Sequence, residues 1–479
     1  MRKETDFIGS AELPDDALYG IHAFRARENF PDRTPFHIEW YQATGLVKLA
    51  CYQTAVSFKK AALERYPETS LPRVLHDDRI LEALMESATR LSAGAYFEHF
   101  IVPAIQGGAG TSINMNINEI IANASLVSLG HSPGQYNIID PFDHANLFQS
   151  TNDVVPTALK VAVMQSLSGL EAGINGLRAG IEKLENANRG NLRLAYTQMQ
   201  QAVPSSFGAL FSVYNDALSR DWWRVSKCFE RIKLVNIGGG ATGSGMALPR
   251  YYVMEIVPQL QRITGLPVTR SENLADTTQN LDVFVEVHAT MKALAVNLEK
   301  MSADLRLLSS DLAGGKEVFI PQKQTGSSIM PGKVNPVIPE YVISAVHKVY
   351  SNDMLISNLC GQGNLDLNPY LPMIGHVLLE SLKLLSGSCH TLSHNLFKGL
   401  EINPDMAREK LMKSPAIVTA LLPHIGYARA GELARKMKEE SLDVFAANES
   451  LSIFPRSRLE EILKADNLLK LGFSLKDLG

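Results

Sequence analysis

A mainly α-helical fold organised around a central bundle of long helices is what this sequence predicts, on three observations. Apolar residues recur at alternating spacings of three and four through the middle of the chain. No parallel-sheet pattern appears anywhere. The composition, 45% hydrophobic and 20% charged over 479 residues, is that of a globular chain able to bury a large core.

The helical seams are explicit. Leu167, Leu170, Ile174, Leu177, Ile181 and Leu184 form one run. Phe284, Val287, Met291, Leu294, Leu298, Met301, Leu305 and Leu308 form a longer one, and Leu378, Leu382, Leu385, Cys389, Leu392 and Leu396 a third. Such stripes are buried between near-antiparallel helices. A helix over 279–310 would run about 48 Å at ~1.5 Å per residue, longer than one small domain needs, which points to packing against copies of the same chain. Before residue 145 the chain reads as shorter elements. DALYGIHAFRARENF (16–30) suggests a strand or turn entering polar chain, and DRILEALMESATRLSAG (78–94) an amphipathic helix. After residue 400, INPDMAREKLMKSPAIV and ARAGELARKMKEES read as short amphipathic helices. Three segments follow: 1–145, mostly helical; 146–400, the long-helix bundle; and 401–479, a small helical domain.

Other classes are disfavoured. A net charge of −4 and a pI near 6.3 give no reason to expect nucleic acid or a membrane surface as partner. Cys51, Cys228, Cys360 and Cys389 are scattered, with neither disulfide-framework nor zinc-ligand spacing. The opening MRKETDFIGSAELPDD turns acidic at once and has no apolar core of a signal peptide. No apolar run approaches the ~18 residues of a membrane span. A soluble, cytoplasmic protein is the expectation.

Four polar islands interrupt the helices. GGAGTSINMNINEIIAN (107–123) puts glycines and Thr111 before a helix that carries Asn114 and Asn118 one turn apart, the arrangement of an anion site at a helix start. HANLFQSTNDVVPTALK (144–160) sets Ser150, Thr151, Asn152 and Asp153 in a row ahead of a helix with Pro156 in its first turn; a cap needs one such residue, not four. YTQMQQAVPSS (196–206) brings Thr197 and Gln198 before a helix opened by Pro204. The fourth, QTGSSIMPGKVNPVIPE (324–340), lies in a connection from Ala313 to Pro336 that has no periodicity of its own, and such connections inside a bundle are commonly functional. It offers Ser327, Ser328, Lys333 and Asn335. No histidine stands nearby, so a serine triad is not indicated. A serine there acts as a base only if its surroundings stabilise the alkoxide. A fifth stretch, NIGGGATGSG (236–245), satisfies G-x-G-x-x-G, but without a βαβ context it is not a dinucleotide fingerprint. Close approach of backbone to a ligand or another chain accounts for it better.

The run GSSIMPGKVNP (326–336) resembles the signature of the aspartase/fumarase superfamily. GGAGTSINMNINEIIAN, QSTNDVVPTA, TQMQQAVP and VTALLPHIGY resemble the family's other segments in order, so the resemblance covers nearly the whole chain from YGIHAFRARENF onward. It implies a three-domain, mainly α subunit in a homotetramer, with each active site shared among three subunits. It also implies a small dicarboxylate substrate and no metal or cofactor. Carried onto matching positions, Ser327 would be the catalytic base and form an aci-carboxylate intermediate. Thr111, Ser150, Thr151 and Ser328 would donate to the developing dianion. Lys333, Asn335 and Thr197 would hold the second carboxylate, Asn152 and Thr111 would accept from an ammonium group, and Arg25 would lend substrate-directed charge.

The leaving group is the finer question. Gln198 stands where fumarases usually carry histidine, and a neutral amide suits loss of ammonia better than loss of hydroxide, which needs a proton donor. Ala195 and Gln201 stand where the family usually has arginine and aspartate, and Leu371 and Leu422 where it usually has polar residues. These departures keep two other readings open: hydration or elimination on another substituted succinate, and a non-catalytic structural homologue.

Overall fold

A computed structural model of the chain describes residues 1–313 and 316–478; Gly314 and Gly315, inside the connection singled out above, lie outside the described residues. Helices dominate, as the periodicity requires. In chain order they are α1 (Ile21–Asn29), α2 (Ile38–Leu63), α3 (Asp78–Ser92), α4 (Thr111–Ser128), α5 (Thr151–Ala187), α6 (Phe207–Ile232), α7 (Arg250–Thr264), α8 (Asp276–Gln279), α9 (Asp282–Leu308), α10 (Val337–Cys360), α11 (Leu371–Thr391), α12 (Pro404–Lys413), α13 (Leu422–Glu440), α14 (Val444–Leu451), α15 (Arg456–Ile462) and α16 (Ala465–Leu468). Among the described residues the strands form only two-stranded pairs: β1 (Arg2–Asp6) with β2 (Gly9–Leu13), β3 (Leu192–Thr197) with β4 (Gln200–Ser206), β5 (Leu234–Val235) with β6 (Thr269–Arg270), and β7 (Val318–Phe319) with β8 (Glu401–Ile402). The three apolar seams fall on α5, α9 and α11, and the third runs on through a π-helical turn at Leu392–Leu396. No helix among the described residues is long and apolar enough to cross a membrane.

Two local expectations are corrected. The stretch 16–30 contains helix α1 rather than a strand. That helix has no side-chain cap of its own; the buried carboxylate of Glu119, on α4, accepts the N–H groups of Gly20, His22 and Ala23 at 2.9, 2.8 and 3.1 Å. A helix start capped from so far along the chain leaves no local signal. Pro204 does not open a helix but sits in β4 opposite Leu194, and α6 begins at Phe207. A two-stranded sheet tolerates proline because each strand keeps an unpaired edge.

The chain divides into two units, and α5, α6, α9, α10 and α11 give residues to both. The first comprises 1–171, 224–292 and 348–384. Its core holds the wholly buried Trp40, Tyr41 and Tyr52 of α2 and an α4 buried from Ile113 to Leu126. Trp40 Nε1 donates to the Val155 carbonyl (3.2 Å), which ties α2 to the start of α5. Where α9, α10 and α11 meet, His288 lies between Asp353 (Nδ1, 3.0 Å) and Ser381 (Nε2, 2.9 Å). This is a hydrolase triad in outline only: Ser381 and His288 are wholly buried, and the Ser381 hydroxyl donates to the Val377 carbonyl.

The second unit comprises 172–223, 293–347 and 385–479. Its C-terminal core packs Leu192 and Leu194 of β3 against Leu411, Ile417, Leu421, Leu433, Val444 and Leu459. The base of the β3–β4 hairpin is therefore anchored by burial while its tip stands in solvent. Caps set the surrounding helices: Asn403 accepts from the Met406 N–H at the start of α12, and Asp443 from the Ala446 N–H at the start of α14.

Candidate active site

The start of α5 uses all four consecutive polar residues. The Ser150 N–H donates to Asp153 Oδ1 (2.9 Å) while Ser150 Oγ accepts from the Asn152 N–H (3.2 Å), a reciprocal cap. Asp153 Oδ2 accepts the N–H groups of Gly238 and Gly240 at 3.2 and 3.0 Å. The fingerprint-like glycines thus cradle an anion, but it is a carboxylate of the same chain. Both have positive φ, 85° and 67°, which lets successive N–H groups converge on one acceptor. Burial pushes the Asp153 carboxyl up to about 7, against the pull of these N–H groups and of Lys48.

Pro156 lies in the second turn of α5, not the first as expected from sequence. It cannot donate to the carbonyl four residues back, and Asn236 Nδ2 takes that place, bonding the Asn152 carbonyl at 2.9 Å. Asn152 Nδ2 in turn donates to the Ala241 carbonyl (2.8 Å), so its side-chain oxygen remains as acceptor. Asp153→Leu would strip the acceptor from three N–H groups. The expected result is a loss of about 3 kcal/mol or more, read as a lower thermal midpoint at fixed concentration and scan rate. Asp153→Asn, which keeps one acceptor oxygen, should lose less.

Thr111 opens α4 and is exposed, after Gly110 in the left-handed region at φ 93°. No side chain caps this helix start, which leaves its first turn open to an external anion. Asn114, one turn on, is buried and donates to Asn146 Oδ1 (3.0 Å) and Thr151 Oγ1 (3.3 Å), so the first two islands meet. Arg25, on α1, is engaged by Asp6 through Nε and Nη2 at 2.8 and 2.9 Å; a substrate would have to compete with that carboxylate for it.

In the second unit, Thr197 and Gln198 stand at the tip of the hairpin. The register Thr197↔Gln200 makes Gln198 and Met199 the two turn residues, with φ 53° and 63°, the positive pair of a type I′ turn. Met199 is 72% exposed although nothing in a turn calls for a large apolar side chain. Tyr196 pairs across the strands with Gln201, whose side-chain oxygen accepts from Ser414 Oγ at 2.6 Å.

The 324–340 loop folds back on itself. Asn335 Nδ2 donates to the Gly326 carbonyl (2.5 Å), and a Cβ on Gly326 would run into the Lys333 carbonyl oxygen. Ser327 is half-buried, while Ser328 and Lys333 are exposed. Ser327 Oγ accepts the N–H groups of Ile329 and Met330 at 3.2 and 3.0 Å. Two converging amide donors are what a serine needs for its oxygen to carry negative charge. The structure therefore gathers the predicted residues into three groups: Thr111, Ser150, Thr151 and Asn152; Thr197 and Gln198; and Ser327, Ser328, Lys333 and Asn335. Arg25 is instead paired with Asp6. Asn146, Asn236 and Lys48, which brace the first group, went unassigned in the sequence; a lone lysine in the apolar run GLVKLACYQTA was the available signal.

Known proteins resemble the chain along its whole length. The family model described as Lyase matches residues 9–351, and that of the Fumarase C C-terminus matches 417–470. Aspartate ammonia-lyase of Helicobacter pylori (strain ATCC 700392 / 26695) is 36% identical over 98% of both chains. That of Bacillus subtilis is 33% identical over 100% of this chain and 98% of its own, and that of Escherichia coli K12 34% over 99% and 98%. Among solved structures, a fumarate lyase:delta crystallin from Brucella melitensis superposes with a TM-score of 0.88 at 33% identity, covering 98% of each chain. A class II fumarase from Schistosoma mansoni, with a TM-score of 0.84 at 24% identity over 97% of this chain and 98% of its own, shares the fold. The amide-braced serine loop, the Ser150–Asp153 helix start and likeness over the full length agree, and the chain belongs to the aspartase/fumarase superfamily of lyases.

Proposed function

We propose that this lyase eliminates ammonia reversibly from L-aspartate to give fumarate, with Ser327 as the base. The observation that carries this reading is the pair of amides on Ser327 Oγ, because a serine can deprotonate a carbon next to a carboxylate only as a stabilised alkoxide. The alkoxide takes the proton, and the electron pair left on carbon delocalises into the adjacent carboxylate as the aci-carboxylate dianion. Collapse of that dianion forms the double bond, breaks the C–N bond, and sends the second electron pair out with nitrogen as ammonia.

The surrounding groups suit that sequence. Thr111, Ser150, Thr151 and Ser328 donate to the carboxylate that gains charge. Lys333, Thr197 and the second N–H of Asn335 hold the other carboxylate. Asn152 keeps a free side-chain oxygen to accept from the substrate ammonium. Gln198 offers no acid to a leaving hydroxide, which favours ammonia over water. The likeness to aspartate ammonia-lyases at 33–36% identity supports the same choice. The exposure of the hairpin tip and of the serine loop fits a homotetramer whose sites each draw these groups from three copies of the chain. Ultraviolet absorbance of fumarate with purified protein tests the substrate. A rise with L-aspartate and none with L-malate supports the reading; the reverse pattern would make the protein a hydratase.

A further inference from the structure

The first group of site residues rests on a lysine that nothing in the proposed chemistry uses. Lys48, in the middle of α2, is wholly buried. Its Nζ donates to Asn118 Oδ1 (2.5 Å) and Asn146 Oδ1 (3.4 Å). Asn118 Nδ2 donates to the same Asn146 oxygen (3.2 Å), as does Asn114 Nδ2 (3.0 Å), and Asn146 Nδ2 is turned away to the Gln149 carbonyl (3.1 Å). Asn114 Nδ2 reaches onward to Thr151 Oγ1 (3.3 Å).

Every bond in this chain runs in one direction, and the lysine sets it. An ammonium has protons to give and no lone pair. Asn118 must therefore present its carbonyl oxygen to Lys48, and so its amide nitrogen to Asn146. Asn146 must present its oxygen to these donors, which leaves Asn114 only its nitrogen to offer. Thr151 Oγ then accepts from Asn114, so its own proton is free to point outward. Burial lowers the Lys48 ammonium to about 7, with Asp153 and Cys51 the titratable groups facing it; the neutral amine gains a lone pair, so it is the ammonium form that forces the direction.

We infer that Lys48 is a positioning residue that acts through Asn118, Asn146 and Asn114 to aim the Thr151 hydroxyl proton into the dicarboxylate site. The inference rests on the site assignment proposed above and goes beyond it. Without the lysine each amide can turn over, and Thr151 can spend its proton inward on Asn114.

The test is a double-mutant cycle on the full-length protein. It combines Lys48→Met, which keeps the length of the side chain and removes its donors, with Thr151→Val. Two readouts are taken: kcat/KM for L-aspartate, and affinity for succinate by calorimetry, which needs no turnover. Lys48→Met alone is expected to weaken both by on the order of 10- to 100-fold, the worth of one oriented bond to a charged group. In the Thr151→Val background it should cost nothing further. Equal losses in both backgrounds would overturn the inference and make the lysine merely structural. If Lys48→Met does not fold, Asn114→Leu closes a second cycle on the same relay, since it removes the donor to Thr151 together with the bond to Asn146. Succinate binding with a closed cycle but no ammonia release would overturn the deamination reading and keep the inference. A folded wild-type protein that neither binds succinate nor releases ammonia would overturn both.

Discussion

Ser327→Ala is expected to lower the rate of fumarate formation from L-aspartate by roughly three orders of magnitude or more, the scale of a lost base in proton transfer, with KM little changed. The loop loses only the acceptor for the Ile329 and Met330 amides, and those two residues are exposed, so water replaces the serine and folding is unaffected. Ser327→Cys separates basicity from geometry. A thiolate can sit on the same two amides, but with a free pKa of about 8.5 it is far too weak a base for a carbon acid. The cysteine variant should therefore be nearly as slow as the alanine one. Turnover in Ser327→Ala within tenfold of the wild type would remove Ser327 from the role of base.

Gly326→Ala has the next largest expected effect. Gly326 is closed against Lys333 across the loop, with its carbonyl bonded by Asn335, and an added methyl group would overlap the Lys333 carbonyl oxygen. The backbone must open, which displaces Ser327 on one side and Lys333 on the other. Misplacing reacting groups by about 1 Å can cost about 100-fold in rate, and a loss of that size in kcat/KM is expected. Because the neighbouring loop residues 328–333 are exposed, the thermal midpoint should stay close to the wild-type value. Full activity would show that the folded-back loop is not the form that reacts. A large fall in the midpoint would show that the glycine serves the fold instead.

The long helices were legible because their apolar period is sustained over many turns. The seam expected over 279–310 is α9 at 282–308, and a repeat that long outvotes local noise. What the sequence hid is what depends on residues far apart. Helix α1 is capped by Glu119, some hundred positions away, so its start looks uncapped. The 238–243 glycines read as backbone closing on a ligand or another chain, but only the folded chain shows that Gly238 and Gly240 close on Asp153 of the same chain. The 196–206 stretch misled for a different reason. Pro204 is a common helix opener, and a turn of Gln198 and Met199 lacks the glycine or asparagine that marks a hairpin. The candidate site residues stand out in the sequence as polar islands, the 150–153 run most plainly, since a cap needs one such residue and not four.

The central claim is that these islands, contributed by different copies of the chain, make one site around Ser327. Subunit mixing tests it most directly. Chains carrying Ser327→Ala and chains carrying Thr111→Val, each inactive alone, are unfolded together, refolded, and assayed for fumarate formation from L-aspartate. If serine and threonine come from different subunits, random mixing restores about a quarter of the sites, and activity returns to that level. If mixed chains stay as inactive as either parent, the two residues serve one site from within a single chain or do not share a site at all, and the shared-site claim fails.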